Sequence, residues 1–120
     1  MRIVFTTAGN DLEAALDPRF GRAPGFLLYD TEGGATQTLR NAEATASGHG
    51  AGIQAAQTVA GLKPDVLITG HCGPNAFRAL QAAGIQICQT DARTVREALD
   101  AFTSGRLTPA TEADKAGHWT

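Results

Sequence analysis

Val66-Leu67-Ile68-Thr69-Gly70-His71-Cys72-Gly73-Pro74-Asn75-Ala76-Phe77 is the stretch whose reading decides the fold. Its apolar burst ends in a glycine-bounded turn, and Pro74 then suits the first position of a helix, where a missing N–H costs nothing. A strand that feeds directly into a helix in this way is a buried parallel strand at the start of a crossover. Phe77, Leu80 and Ala83 continue one face of that helix until Gly84 ends it. Upstream, Ile53, Ala56, Val59 and Ala60 fall at helical spacing, and Gly61-Leu62-Lys63-Pro64 is expected to close the helix through its glycine and proline. Downstream, Ile85 to Cys88 reads as a short strand, and Asp91 is expected to cap a helix presenting Val95, Ala98, Leu99 and Phe102 before Gly105.

Toward the N-terminus, β-branched and aromatic Arg2 to Thr7 make a first strand that stops at Ala8-Gly9-Asn10-Asp11. Asp11 to Gly25, with Asp17-Pro18, Gly21 and Pro24-Gly25, lacks a period and reads as a loop of 15 residues, long enough to suggest function. Phe26 to Asp30 and Thr36 to Arg40, joined across Gly33-Gly34, form an antiparallel hairpin. Strand, loop, hairpin, helix, strand, helix, strand, helix is the order of a mixed α/β sandwich with five strands. The expected organisation is one domain over residues 1–106 and a loose tail over residues 107–120. Within that tail, Lys115 to Thr120 carries His118 and Trp119.

Composition sets outer bounds. The chain has 120 residues with 10 Lys and Arg against 12 Asp and Glu, a formal charge of −2. An acidic balance argues against general nucleic-acid binding, which needs a basic surface to release counterions. No apolar run approaches the roughly 20 residues of a membrane span, and the N-terminus shows no apolar leader before a cleavage site, so a cytoplasmic protein is expected. Cys72 and Cys88 form no CxxC pair and read as thiols of a reducing compartment. Arg outnumbers Lys eight to two, a bias toward forked, directional contact with anions.

In open α/β sheets ligands gather outside the carboxyl ends of the parallel strands, where connections diverge to opposite faces. Three segments should converge there. Gly70 to Asn75 joins a strand end to a helix start, so free amides and the positive end of the dipole favour an anion. His71 and Cys72 add a nitrogen and a soft sulfur donor, although the same residues also suit an ordinary turn with a half-buried cysteine. Ser47-Gly48-His49-Gly50-Ala51-Gly52 is a second glycine-rich approach to a helix, without the Gly-Lys-Ser of a phosphate-binding loop. There His49 is either a ligand or a solvated loop residue. Asp17-Pro18-Arg19-Phe20-Gly21-Arg22 brings two guanidinium groups and an aromatic ring into the long loop. The first strand lacks the carboxylates that would hold two divalent metals, no Gly-x-Ser-x-Gly elbow exists, and no Cys or His spacing makes a closed zinc site. Arg78, Arg93 and Arg96 read as solvated helix positions, and Cys88 as core.

Three of these motifs, Asp17-Pro18-Arg19-Phe20-Gly21-Arg22-Ala23-Pro24-Gly25-Phe26, Gly50 with Gly52, and Leu67-Ile68-Thr69-Gly70 continued by Gly73-Pro74-Asn75-Ala76, together resemble the dinitrogenase iron–molybdenum cofactor biosynthesis family. That family includes nitrogenase cofactor carriers and the small orange proteins of sulfate-reducing bacteria, which hold a molybdenum–copper sulfide cluster. The resemblance covers about residues 1–105. It implies a ribonuclease H-like three-layer α/β/α fold without nuclease activity, and noncovalent carriage of an anionic metal–sulfur cluster of Mo–Cu or Fe–Mo type. Carried over by motif, Arg19, Phe20, Gly21 and Arg22 would line one wall, His49, Gly50 and Gly52 a second, and Gly70, Gly73, Pro74 and Asn75 the base. His71 and Cys72 occupy the variable pair of the last motif, so His49, His71 and Cys72 are the expected metal-contacting residues. Cys72 departs from the apolar residue usual there and leaves direct ligation open.

A carrier rather than an enzyme is therefore expected, as a monomer or weak dimer, partnered by the cluster and by an ATPase or cofactor-assembly protein. The alternative is a metal-free interaction module that docks a partner ATPase through the same loops. A nucleophilic Cys72 activated by His71 ranks below both, because adjacent turn residues rarely face each other and no third group orients the pair.

Overall fold

The computed structural model describes residues 1–41 and 51–110. Within them the chain forms β1 (Arg2–Thr7), β2 (Gly25–Asp30), β3 (Thr36–Arg40), α1 (Ala51–Gly61), β4 (Val66–Thr69), α2 (Pro74–Ala82), β5 (Gln86–Gln89) and α3 (Val95–Thr103). A single 3₁₀ turn, Phe20–Arg22, interrupts the long loop between β1 and β2. The sheet order is β3-β2-β1-β4-β5. β1, β4 and β5 run parallel, while β2 lies antiparallel to both β1 and β3, so the mixed five-stranded sheet is as the sequence pattern predicts.

Side chains alternate across the strands, and each face buries its own core. Val4, Phe26, Leu28, Leu67 and Ile87 point to one face and pack under Ala55, Ala56 and Val59 of α1 and Ala76, Phe77 and Leu80 of α2. Ile3, Phe5, Leu27, Val66, Ile68 and Cys88 point to the other and pack under Val95, Ala98 and Leu99 of α3. The three layers follow from this: β1 and β4 are covered on both faces, which is why their sequences are continuous apolar runs rather than alternating ones. Among the described residues no helix is long and apolar enough to cross a membrane.

Two local expectations are corrected. α1 runs through Gly61, and the left-handed residue that ends it is Lys63, with φ of 53°. A 3₁₀-type turn, with Lys63 N–H donating to the Ala60 carbonyl at 3.1 Å, precedes Pro64. Gly84 and Gly105, with φ of 80° and 78°, do close α2 and α3 as expected. The cap of α3 is Thr94 rather than Asp91, its Oγ1 accepting the Glu97 N–H at 3.1 Å. The shift has a tertiary cause. Leu16 N–H donates to the Arg93 carbonyl at 2.9 Å and Val95 N–H to the Ala14 carbonyl at 2.9 Å, so the long loop holds Thr94 extended and delays the helix to Val95.

That loop is itself tied down. Asp17 N–H donates to the Thr6 carbonyl at 2.7 Å, and the hydroxyls of Thr6 and Thr7 donate to the carbonyls of Asp17 and Ala15 at 2.6 Å each. Beyond α3, Leu107 packs on the α3 core, and Ala110 N–H donates to the Ile87 carbonyl at 2.7 Å, so the chain runs back along the open edge of β5. Residues 111–120, with His118 and Trp119, lie outside the described residues.

Candidate functional site

The crossovers through α1 and α2 cover the same face of the sheet, whereas β5 leads to α3 on the other. The carboxyl ends of β1, β4 and β5 therefore meet the turns and loops at one edge, which is where the sequence motifs fall. Two of those motifs are stitched together by backbone hydrogen bonds. His71 N–H donates to the Pro18 carbonyl at 2.6 Å, and Phe20 N–H donates to the His71 carbonyl at 3.1 Å, forming a parallel bridge between Arg19 and His71. The approach is close enough to require Gly70, since a Cβ there would sit 2.7 Å from the Cα, Cβ and carbonyl oxygen of Pro18.

The bridge positions the 3₁₀ turn. Phe20 is buried against Phe26, with ring centroids 6.0 Å apart, and this anchors Gly21 beside the first turn of α1. There Gly52 faces Ala76 of α2, and a Cβ on Gly52 would lie 3.4 Å from the Ala76 Cβ. The result is a cavity of about 200 Å³ walled by Phe20-Gly21, Gly52-Ile53 and Gly73-Pro74-Asn75-Ala76. Three motifs far apart in sequence thus bound one hollow. Its floor is the start of α2, where Gly73 is the N-cap residue and provides no side-chain cap. Pro74 has no N–H, so the remaining amides of the first turn, at the positive end of the dipole, are left to other acceptors. Among the described residues a Cβ added at Gly73 would meet nothing within 4 Å, so their packing does not demand glycine there.

The other expected residues are distributed around this cavity. Arg19 is exposed and pairs with Asp17, Nε to Oδ1 at 3.4 Å. Arg22 lines a separate cleft of about 660 Å³ with Thr7, Gly9, Asn10, Arg40 and Asn41. Gly70 and His71 line a third hollow of about 870 Å³ between β4 and β5, opposite Gln89, Thr90, Asp91 and Arg93. This last hollow is the point where connections diverge to opposite faces, and residues 89–93, which the sequence motifs do not name, form its wall from the end of β5 onward. Asn41 carried no local signal. His49 and Gly50 lie outside the described residues. Cys72 differs from its neighbours in the turn: it has no exposed surface and sits in the core with Phe20, Phe77 and Leu80. Cys88 is equally buried on the opposite face, and desolvation pushes its thiol pKa up. Among the described residues no three His, Cys, Asp or Glu side chains cluster to hold a metal ion.

The fold is thus a three-layer α/β/α sandwich with a small glycine-walled cavity at an uncapped helix start. The chain belongs to the dinitrogenase iron–molybdenum cofactor family, whose model matches residues 1–105. It is similar to the apo form of the orange protein from Desulfovibrio gigas, at 43% identity over 95% of this chain and 96% of that one, with a TM-score of 0.90. A Thermotoga protein solved by NMR is 36% identical over 97% of this chain and 98% of its own, with a TM-score of 0.82. An uncharacterized protein of Methanocaldococcus jannaschii is 28% identical over 94 residues, 77% of this chain and 80% of its length.

Proposed function

We propose that this chain is a carrier or store, not an enzyme, for an anionic metal–sulfur cluster held noncovalently at the cavity between Gly21, Gly52 and Gly73. The observation that carries the reading is the convergence of three separate motifs on one hollow whose floor is an uncapped helix N-terminus. At about 200 Å³ the hollow falls below the range of organic cofactor pockets and suits a compact inorganic anion. Bare glycine lets bulky sulfide ligands approach the backbone, and first-turn amides supply donors that suit a polarisable dianion or trianion. In sequence Arg19 and Arg22 flank Phe20-Gly21, and His49 and Gly50 precede Gly52, so these motif residues are the further candidates for contact with the cluster. The burial of Cys72 supports a cradle rather than a thiolate ligand. Family membership and the likeness to the orange protein favour molybdenum, with Mo–Cu sulfide ahead of an Fe–Mo precursor.

The test is elemental analysis and a visible spectrum of protein purified without oxygen or chelator, repeated after incubation with tetrathiomolybdate and copper. Stoichiometric Mo with sulfide-to-metal charge-transfer bands is the expected result. A protein that stays colourless and metal-free through reconstitution refutes the proposal and leaves the metal-free docking of a partner ATPase through these loops as the better account.

A further inference from the structure

We infer that the cleft of about 660 Å³ beside β3 is a second anion site, built for an oxyanion that carries its own proton, inorganic hydrogen phosphate being the simplest. Of its lining, Arg22, Pro24, Gly25 and Phe26 belong to a family motif, while Arg40, Asn41 and the Ala8-Gly9-Asn10 turn, which carry the inference, lie outside the motifs. Two arginines line this cleft from separate elements, Arg22 from the end of the 3₁₀ turn and Arg40 from the last position of β3. Forked guanidinium groups recognise oxyanions in preference to other guests. The turn Ala8-Gly9-Asn10 at the end of β1 forms the opposite wall. In a chain of net charge −2, two arginines on one hollow mark a local rather than a global attraction for anions.

Asn41 sets the selectivity. It is 4% exposed and lines the same cleft. Its backbone N–H donates to the Pro24 carbonyl at 2.8 Å and its Nδ2 donates to the Ala23 carbonyl at 2.9 Å. The second bond fixes which way the amide faces, because only the nitrogen can donate to a carbonyl. Among the described residues Oδ1 is left buried with no hydrogen-bond partner. A native structure rarely leaves a buried acceptor unsatisfied, and such a group marks a place where a donor belongs. Sulfate and tetrathiomolybdate at neutral pH are fully deprotonated and would set a lone pair against Oδ1. Hydrogen phosphate offers negative oxygens to the guanidinium groups and an O–H to the amide oxygen at once.

The experiment is calorimetric titration of the full chain with phosphate and with sulfate at matched ionic strength, followed by NMR of the backbone amides and the Asn41 side-chain amide. Phosphate is expected to shift Gly9, Asn10 and the Asn41 side chain, and to bind at least about tenfold more tightly than sulfate, the ratio set by one satisfied against one unsatisfied polar group. Arg40→Gln, at an exposed strand end, is expected to weaken phosphate at least about tenfold through loss of a charge-assisted contact while leaving cluster loading unchanged. Equal affinity for phosphate and sulfate, no phosphate binding, or phosphate binding indifferent to Arg40→Gln would each overturn the inference. Displacement of phosphate from these resonances by tetrathiomolybdate would also overturn it, by making the cleft part of the cluster site.

Discussion

Replacing Gly73 by Asp should make the protein more stable and its proposed cargo site inoperative. Gly73 sits at the N-cap of α2 with φ of −69° and ψ of 169°, an extended conformation that any residue adopts, and its absent Cβ faces open space. An aspartate there can accept from the first-turn amides that now have no side-chain cap. Asp exceeds Gly as an N-cap by a few tenths of a kcal/mol, the charge gains about 0.3–1 kcal/mol from the helix dipole, and loss of glycine restricts the unfolded chain by a further amount of about 0.4–1 kcal/mol. A net gain of about 1 kcal/mol raises Tm by about 3–6 °C in a domain of this size. For an anionic cluster the same carboxylate competes for the amides and repels the charge. Two like unit charges about 4 Å apart at an effective dielectric of about 20 cost about 4 kcal/mol, so even with solvent halving that figure the affinity falls at least about thirtyfold. Thermal unfolding of the apo protein and spectrophotometric titration with tetrathiomolybdate and copper read the two effects separately. Gly73→Ser, which caps without charge, should fall between the two. A Gly73→Asp protein that loads like the parent, or that unfolds at lower temperature, refutes the reasoning from the uncapped helix.

Gly70→Ala should be destabilised by about 1–3 kcal/mol in urea unfolding, because its Cβ is driven against the backbone of Pro18 at 2.7 Å, and it should lose cluster loading as the bridge between Arg19 and His71 opens. Cys72→Ala should cost about 1 kcal/mol of packing yet retain loading, and loss of the charge-transfer bands in a folded variant would restore the thiolate as a ligand. Thr94→Ala should cost about 1 kcal/mol through loss of the α3 cap, with cargo binding unchanged because α3 covers the opposite face. Cys88 has its pKa raised by burial above the ordinary value of 9.0, so its contribution to stability is complete below that value and is lost as pH rises through the folded pKa. Comparing urea unfolding of the parent and Cys88→Val from pH 8 to 10.5 should therefore show a shallower alkaline decline in the variant.

Most of the fold was legible because the periods are clean. The run Val66-Leu67-Ile68 pairs with β1 on one side and β5 on the other, as a doubly buried parallel strand must. What local sequence could not supply came from contacts between distant segments. Nothing near Asp91 reveals that residues 14–16 bond to Arg93 and Val95 and hold Thr94 extended, so the cap moved to Thr94. Nothing near Lys63 distinguishes a helix that stops at a glycine from one that runs through it into a 3₁₀-type turn. The site motifs were legible as motifs, since glycine-rich entries to helices are local patterns. Their partition among three hollows was not, because it depends on the pairing of Pro18 with His71 and on the direction in which Cys72 turns. Asn41 was invisible for the same reason: its hydrogen-bond partners, Ala23 and Pro24, precede β2 and meet it only once β2 and β3 pair as a hairpin.

Two glycines of one turn separate what packing requires from what it leaves free. Gly70 is dictated by neighbours: no side chain fits between it and Pro18, and the fold would need glycine there whatever the protein did. Gly73, three residues on, is under no such demand, and at a helix N-cap glycine forgoes the hydrogen bonds that Ser, Asp or Asn would make. A position where many residues fit, where several would raise stability, and where the chain presents none of them is one whose emptiness serves something other than folding. It lies on the floor of the hollow on which the other glycine-rich segments converge. Stability given up at such a point is the ordinary sign of a binding site kept open. In the proposed carrier reading, the anionic cargo would complete the capping of α2, so loading should raise the unfolding temperature in proportion to the logarithm of free cluster concentration.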